Sequence, residues 1–148
     1  MKWITRENAA VDRIACPWLI RRFVDPAAEF LFVPASEVMR KAHELGATPF
    51  DVEGAELGHV DGRCSFESIM LRHGLDGDAA LRRVAAVVHG ADVAEDIDRT
   101  RESAGLKAIA LGFRQLYGRA DHEKIRLQSP MYDALYAWAE TQVARASA

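Results

Sequence analysis

The 148-residue sequence has no run of about 18 apolar residues, so no segment of it is long and apolar enough to cross a bilayer as a helix. Its opening, Met1-Lys2-Trp3-Ile4-Thr5-Arg6-Glu7, lacks the apolar stretch of a secretory signal, and a cytoplasmic location is expected. There are only two cysteines, Cys16 and Cys64, and no C-x-x-C pair. That is too few for a disulfide scaffold in a chain of this length, so both thiols are expected reduced. A single bridge between them stays open, because sequence gives no Cα separation. Positive charge is not in excess: the formal net charge is −3 and the pI is about 5.9. Broad nucleic-acid binding, which wants a basic surface, is therefore not expected. Arg21-Arg22 and Arg82-Arg83 lie beside apolar residues in helix-like stretches and read as solvated faces. Low-complexity segments, linkers, internal repeats, a glycine-rich phosphate cradle and a serine nucleophile elbow are all missing.

What is present suits one packed domain spanning residues 1–148: 49% of the residues are apolar and 28% charged. Lys2 to Thr5 reads as a strand. Val11 to Val24 reads as a helix that contains Pro17, so it starts near Cys16 or starts near Asp12 and bends. Phe30 to Val33, closed by Pro34, reads as a buried strand. Ser36 is expected to cap a helix to Leu45, stopped by Gly46. Pro49 to Val52 suggests a third strand. Glu53 to Arg63 carries Gly54, Gly58 and Gly62 and reads as loop. Ser65 is expected to cap a short helix ending at His73-Gly74. Leu81, Val84, Ala85 and Val88 form one apolar helical stripe, and Leu106, Ile109, Ala110 and Phe113 form another, stopped by Gly118. Ser129-Pro130 reads as the start of a last helix through Leu135 and Trp138. The fold class is α+β, a small sheet in the N-terminal half and a helix-rich C-terminal half. Early alternation of strand and helix leaves α/β as the alternative.

Several polar residues conflict with this pattern. With Leu81 at the centre of its stripe and about 100° per residue, Asp92 falls about 20° from the centre and His89 about 80°. A carboxylate on the apolar side needs a partner, which a metal ion, an arginine or a histidine would each supply. His89 at i−3 is close enough to share an ion with it. His59 stands in the glycine-rich loop, where a ligand can be presented. Cys64 and Glu67 follow it, and His-x4-Cys-x2-Glu contains every ligand type that zinc or iron accepts. The bland readings are a buried filler for Cys64 and a helix-dipole role for Glu67. Asp121-His122-Glu123 reads either as an acidic helix start or as a source of one more ligand, His122. His43 and His73 look like surface or capping histidines. Cys16 would be an activated nucleophile if the helix began at Pro17 with Arg13 nearby, and buried core beside Trp18 if it began earlier.

Trp3-Ile4-Thr5-Arg6 followed by Val11-Asp12-Arg13-Ile14-Ala15-Cys16-Pro17-Trp18-Leu19-Ile20-Arg21-Arg22-Phe23 resembles the signature opening of the chromate-resistance ChrB C-terminal domain family. Phe50-Asp51-Val52, Gly58-His59, Cys64-Ser65-Phe66-Glu67, His89-Gly90-Ala91-Asp92, Ala104-Gly105-Leu106 and Tyr132-Asp133-Ala134-Leu135-Tyr136 continue the likeness over nearly the whole chain. The resemblance implies a bacterial protein linked to chromate resistance and fixes no reaction. In the family the second acidic cluster tends to read Asp-Asp-His; here it reads Ala120-Asp121-His122.

The leading expectation is a metal-binding domain. His59, His89 and Asp92 are its ligands, and Glu67 and His122 are candidates for the remaining positions. The ion would be a divalent transition metal such as zinc, iron or manganese, whose preferences these ligands do not separate. An open position on it would bind an oxyanion or activate water, with Arg13 or Arg63 adding charge for the anion. One alternative is a redox or sulfur-transfer protein using Cys16. Another is a non-catalytic chromate-responsive sensor. Sequence leaves enzyme against sensor, and self-association, undecided.

Overall fold

The computed structural model describes residues 1–147. Strand β1 (Lys2–Arg6) is central in a three-stranded parallel sheet of order β2-β1-β3, with β2 at Glu29–Val33 and β3 at Thr48–Pro49. Parallel neighbours require crossovers, supplied by helix α1 (Asp12–Phe23) and helix α2 (Val38–Leu45). Successive side chains of β1 point to opposite faces. Ile4 packs with Val38 and Ala42 of α2, whereas Trp3 joins the main core. Both faces of the strand are covered, as a parallel sheet demands.

The second half is helical: α3 (Ser65–Arg72), α4 (Ala79–Asp92), α5 (Ser103–Tyr117) and α6 (Asp121–Ser147). The class is thus α+β as expected, with the α/β alternation confined to the first third of the chain. No helix among the described residues is long and apolar enough to cross a membrane. Helix α1 starts at Asp12 and carries Pro17 inside it, and its residues from Ile14 to Ile20 are buried. It packs against α3, α4 and α6, so it is the axle of the main core.

Four boundaries differ from the sequence reading. Strand β3 ends at Pro49, because Asp51 turns into the left-handed region at φ 48° and leads the chain away from the sheet. Helix α2 begins at Val38 after a 3-10 turn (Ala35–Glu37), with no side-chain cap from Ser36. Helix α3 is capped by Cys64 and Glu67 instead of Ser65, whose hydroxyl goes to Asp51 at 3.2 Å. Helix α6 begins at Asp121, eight residues before the expected Ser129 cap, and runs on through Pro130. Ser129 Oγ instead donates to the Ile125 carbonyl at 2.6 Å. The buried residues Ile125, Tyr132 and Ala139 lie on both sides of the proline, and core packing carries the helix across it. In α5, Leu106 and Ala110 are buried as expected, but Ile109 is exposed.

The first turn of α6 shows why it starts early. The buried Asp121 carboxylate accepts the Asn8 N–H at 3.0 Å and the Ala9 N–H at 2.8 Å. Buried Lys124 pairs with Asp121 at 3.0 Å and donates to the carbonyls of Ala9 and Gly118, each at 2.6 Å. Lys124→Met leaves Asp121 buried without its cation. It is expected to cost about 3 kcal/mol, read as a lower urea midpoint at unchanged slope.

A 3-10 turn (Ala94–Arg99) folds back over α4 at Gly90. A Cβ on Gly90 would collide with Ser103 Oγ and lie 3.0 Å from the Asp96 carbonyl oxygen. Ser103 Oγ is not free to yield, because it donates to the Val87 carbonyl at 2.9 Å. Gly90→Ala should therefore destabilise by about 1–3 kcal/mol in the same unfolding assay, although alanine is the better helix former.

Candidate functional site

One end of the sheet opens into a cleft of about 310 Å³ between β1, α1, α4 and α5. Asp12, Asp51, His59 and Asp92 lie on its wall, each brought from a different element. Asp12 is the first residue of α1. Asp51 follows β3 in its left-handed conformation, an unusual state for a non-glycine residue and one often kept at functional positions. Asp92 is the last residue of α4. His59 comes from the glycine-rich loop, held close to the body of the protein at Gly58. A Cβ there would sit 3.1 Å from the Val52 carbonyl oxygen and 3.2 Å from that of Ala55. Ser68 Oγ also donates to the Gly58 carbonyl at 2.9 Å. These contacts aim the imidazole into the cleft.

His59 Nε2 lies 2.9 Å from Asp92 Oδ2, 3.3 Å from Asp51 Oδ1 and 3.9 Å from Asp12 Oδ2. Three carboxylates thus converge on one nitrogen. Asp12 is fully buried, and its oxygens accept the Ser65 N–H at 2.7 Å and the Phe66 N–H at 3.1 Å, at the start of α3. Burial first, then the charges of Asp92 and Asp51, raise its pKa well above the ordinary carboxylate value. Asp92 is raised in the same way, by burial and then by Asp51. His59 is raised to about 9, chiefly by its hydrogen bond to Asp51, against the effect of burial.

Cations stand beside this group. Arg13 Nε and an Arg6 terminal nitrogen each lie 3.5 Å from Asp51 Oδ2, and Lys107 and Arg114 line the opposite wall. Burial, and then the charge of Arg6, lower the Arg13 pKa.

The expected ligands fall into two groups. His59 and Asp92 meet, joined by Asp12. His89 does not reach them. It sits one turn earlier on α4, with Nδ1 2.5 Å from Glu67 Oε1 and Nε2 2.6 Å from Asp96 Oδ2. Burial alone would lower its pKa, but the hydrogen bonds to Asp96 and Glu67 raise it. Cys64, Glu67 and His89 form the second group. His122 joins neither; it is exposed and meets the Phe32 ring edge-on at 5.3 Å. Of the two expected anion-binding arginines, Arg13 lines the cleft, while Arg63 pairs with Asp61 at 3.8 Å outside it.

Cys16 meets neither condition for a nucleophile. The helix starts at Asp12, so the thiol lies mid-helix, fully buried, with Sγ 3.4 Å from Asp12 Oδ1. Burial and then the Asp12 charge push its pKa well up. Cys64 is likewise a buried free thiol with a raised pKa. The sequence reading missed Asp12, Asp51 and Asp96. The available signal for Asp12 was a carboxylate among Val11, Ile14 and Ala15 on a buried helix. Asp51 and Asp96 carry none, because a turn conformation and a chain reversal place them.

The model of the ChrB C-terminal domain matches residues 3–139. Among curated proteins, Protein ChrB of Cupriavidus metallidurans is 40% identical over 114 residues, covering 77% of this chain and 33% of that protein. The match thus spans about a third of the relative's length. No solved structure matches. The opening stretch that carries the likeness supplies Arg6, Asp12 and Arg13 to the cleft, and the later stretches supply Asp51, His59 and Asp92. The chain belongs to the ChrB C-terminal domain family.

Proposed function

We propose that this chain is a metal-binding domain whose centre is the cleft. The ion is a divalent transition metal held by His59 Nε2 and the carboxylates of Asp12 and Asp92, with Asp51 beside them. The observation that carries this reading is the convergence of three carboxylates on one imidazole nitrogen. One ligand atom from each of Asp12, His59 and Asp92 lies within 4.8 Å of the others. Arg6 and Arg13 reach Asp51, but among the described residues no lysine or arginine lies within 4.0 Å of Asp12 or Asp92, and a divalent ion would supply that charge. Nitrogen and oxygen donors suit zinc, iron and manganese.

The cleft is open to solvent, so a coordination position remains for an outside ligand. Arg6, Arg13, Lys107 and Arg114 make that ligand an anion. The resemblance to chromate-resistance proteins makes chromate, or an oxyanion of the same shape, the natural occupant. Whether water bound to the ion is also activated for a reaction is a separate step, and anion binding does not depend on it.

Elemental analysis of the untagged protein tests the ion. His59→Ala and Asp92→Asn are each expected to lower the transition-metal content by about one equivalent, as loss of an essential ligand should. Content equal to the wild type in both variants would overturn the reading. The anion has its own check. Chromate or molybdate should raise the melting temperature of the metal-loaded protein in a concentration-dependent way. Arg114→Gln should abolish that rise and leave the metal content intact.

A further inference from the structure

We propose that Cys64, Glu67 and His89 form a second, largely buried transition-metal site, separate from the cleft, with Asp96 fixing the orientation of His89. The proposal does not depend on the cleft reading.

The first turn of α3 brings two of the ligands together. Cys64 is its N-cap and Glu67 its third residue, in a capping box. Glu67 Oε1 accepts the Cys64 N–H at 3.0 Å, which holds the carboxylate over the thiol. Helix α4 delivers the third ligand. His89 is 4% exposed and Cys64 0%, so sulfur and nitrogen meet out of water. Sγ, a Glu67 oxygen and a His89 nitrogen all lie within 4.8 Å of one another. An ion entering among them would draw each inward by a small rotation.

The other side of the imidazole is what distinguishes this group from a chance cluster. Its Nε2 sits 2.6 Å from Asp96 Oδ2, and Asp96 Oδ1 is itself held at 3.0 Å by Arg99. Nδ1 shares its proton with the Glu67 carboxylate; once an ion displaces that proton and Nε2–H stays with Asp96, the Nδ1 lone pair is free to bind it. A carboxylate behind a histidine, fixing its tautomer and raising its basicity, is the usual companion of a metal-ligating imidazole. Asp96 belongs to the 3-10 turn that packs on α4, and its carbonyl oxygen lies 3.0 Å from where a Cβ on Gly90 would stand.

Sulfur, nitrogen and oxygen donors in a largely buried setting suit zinc. Binding would form bonds to Cys64 Sγ, His89 Nδ1 and a Glu67 oxygen, and would release to solvent the Cys64 thiol proton and the proton that Nδ1 shares with Glu67. Glu67 is 30% exposed, so a fourth ligand, a water molecule, can enter from its side. The cleft contains no sulfur, and His59 there is 47% exposed. The two centres thus differ in a property that spectroscopy reads directly.

Titration of the untagged, reduced full chain with Co²⁺ tests the site. The expected result is a near-ultraviolet thiolate-to-cobalt charge-transfer band that saturates near one equivalent and is displaced by Zn²⁺. The band should vanish in Cys64→Ser and His89→Ala, and persist in Cys16→Ser and His59→Ala. Asp96→Asn, which leaves all three ligands in place, should weaken cobalt binding by about 10–100-fold without moving the band. No band in the wild type would overturn the proposal. So would a band that survives Cys64→Ser, or cobalt affinity unchanged in Asp96→Asn. Should Cys64→Ser or His89→Ala fail to fold, the wild-type band and Asp96→Asn still decide.

Discussion

The Asp12 carboxylate ties the first turn of α1 to the first turn of α3. Both of its oxygens are occupied by backbone N–H groups of Ser65 and Phe66 in a place water does not reach. An anion at a helix N-terminus is a favourable arrangement, and here the anion belongs to the chain. That contact fixes how α3 approaches α1. It also sets the position of Cys64 and Glu67, which cap the same turn, and of the loop that carries His59. Because Asp12 is committed on one side to α3, its remaining charge faces Asp92, Asp51 and His59. Structure and site share one carboxylate, so a change at residue 12 acts on both.

The charges around it are organised in two layers. In the cleft, three acids surround one imidazole, and four basic side chains line the same space. Behind it, the ring of His89 lies between Glu67 and Asp96 and is shielded from solvent by the turn at Gly90. Helix α4 supplies Asp92 to the first layer and His89 to the second. They stand three residues apart, about one helical turn, and different neighbouring elements claim each one.

Much of this was legible in the sequence, because apolar periodicity reports burial. The α+β class, the early sheet, the helix around Pro17 and the stripe of α4 all follow from it. Asp92 stands out as a carboxylate on an apolar stripe, and His59 as an imidazole in a glycine-rich loop. Joining His89 to Asp92 rests on one helix alone. Glu67, a candidate on residue type, takes the ring from α3 together with Asp96, which a chain reversal brings there. The start of α6 was missed for a similar reason. Ser129-Pro130 is a strong local signal, but the buried Asp121–Lys124 pair and core packing across Pro130 outweigh it. Local chemistry names residues well; long-range partners decide which of them meet.

Anomalous diffraction locates an ion in the cleft directly. A crystal of the protein grown with Mn²⁺, measured with wavelengths chosen for manganese, is the decisive experiment. The account predicts an anomalous peak within bonding distance, about 2.0–2.3 Å, of His59 Nε2 and of carboxylate oxygens of Asp12 and Asp92. A cleft with no peak at saturating Mn²⁺, and with the His59–Asp92 contact unchanged, would contradict it.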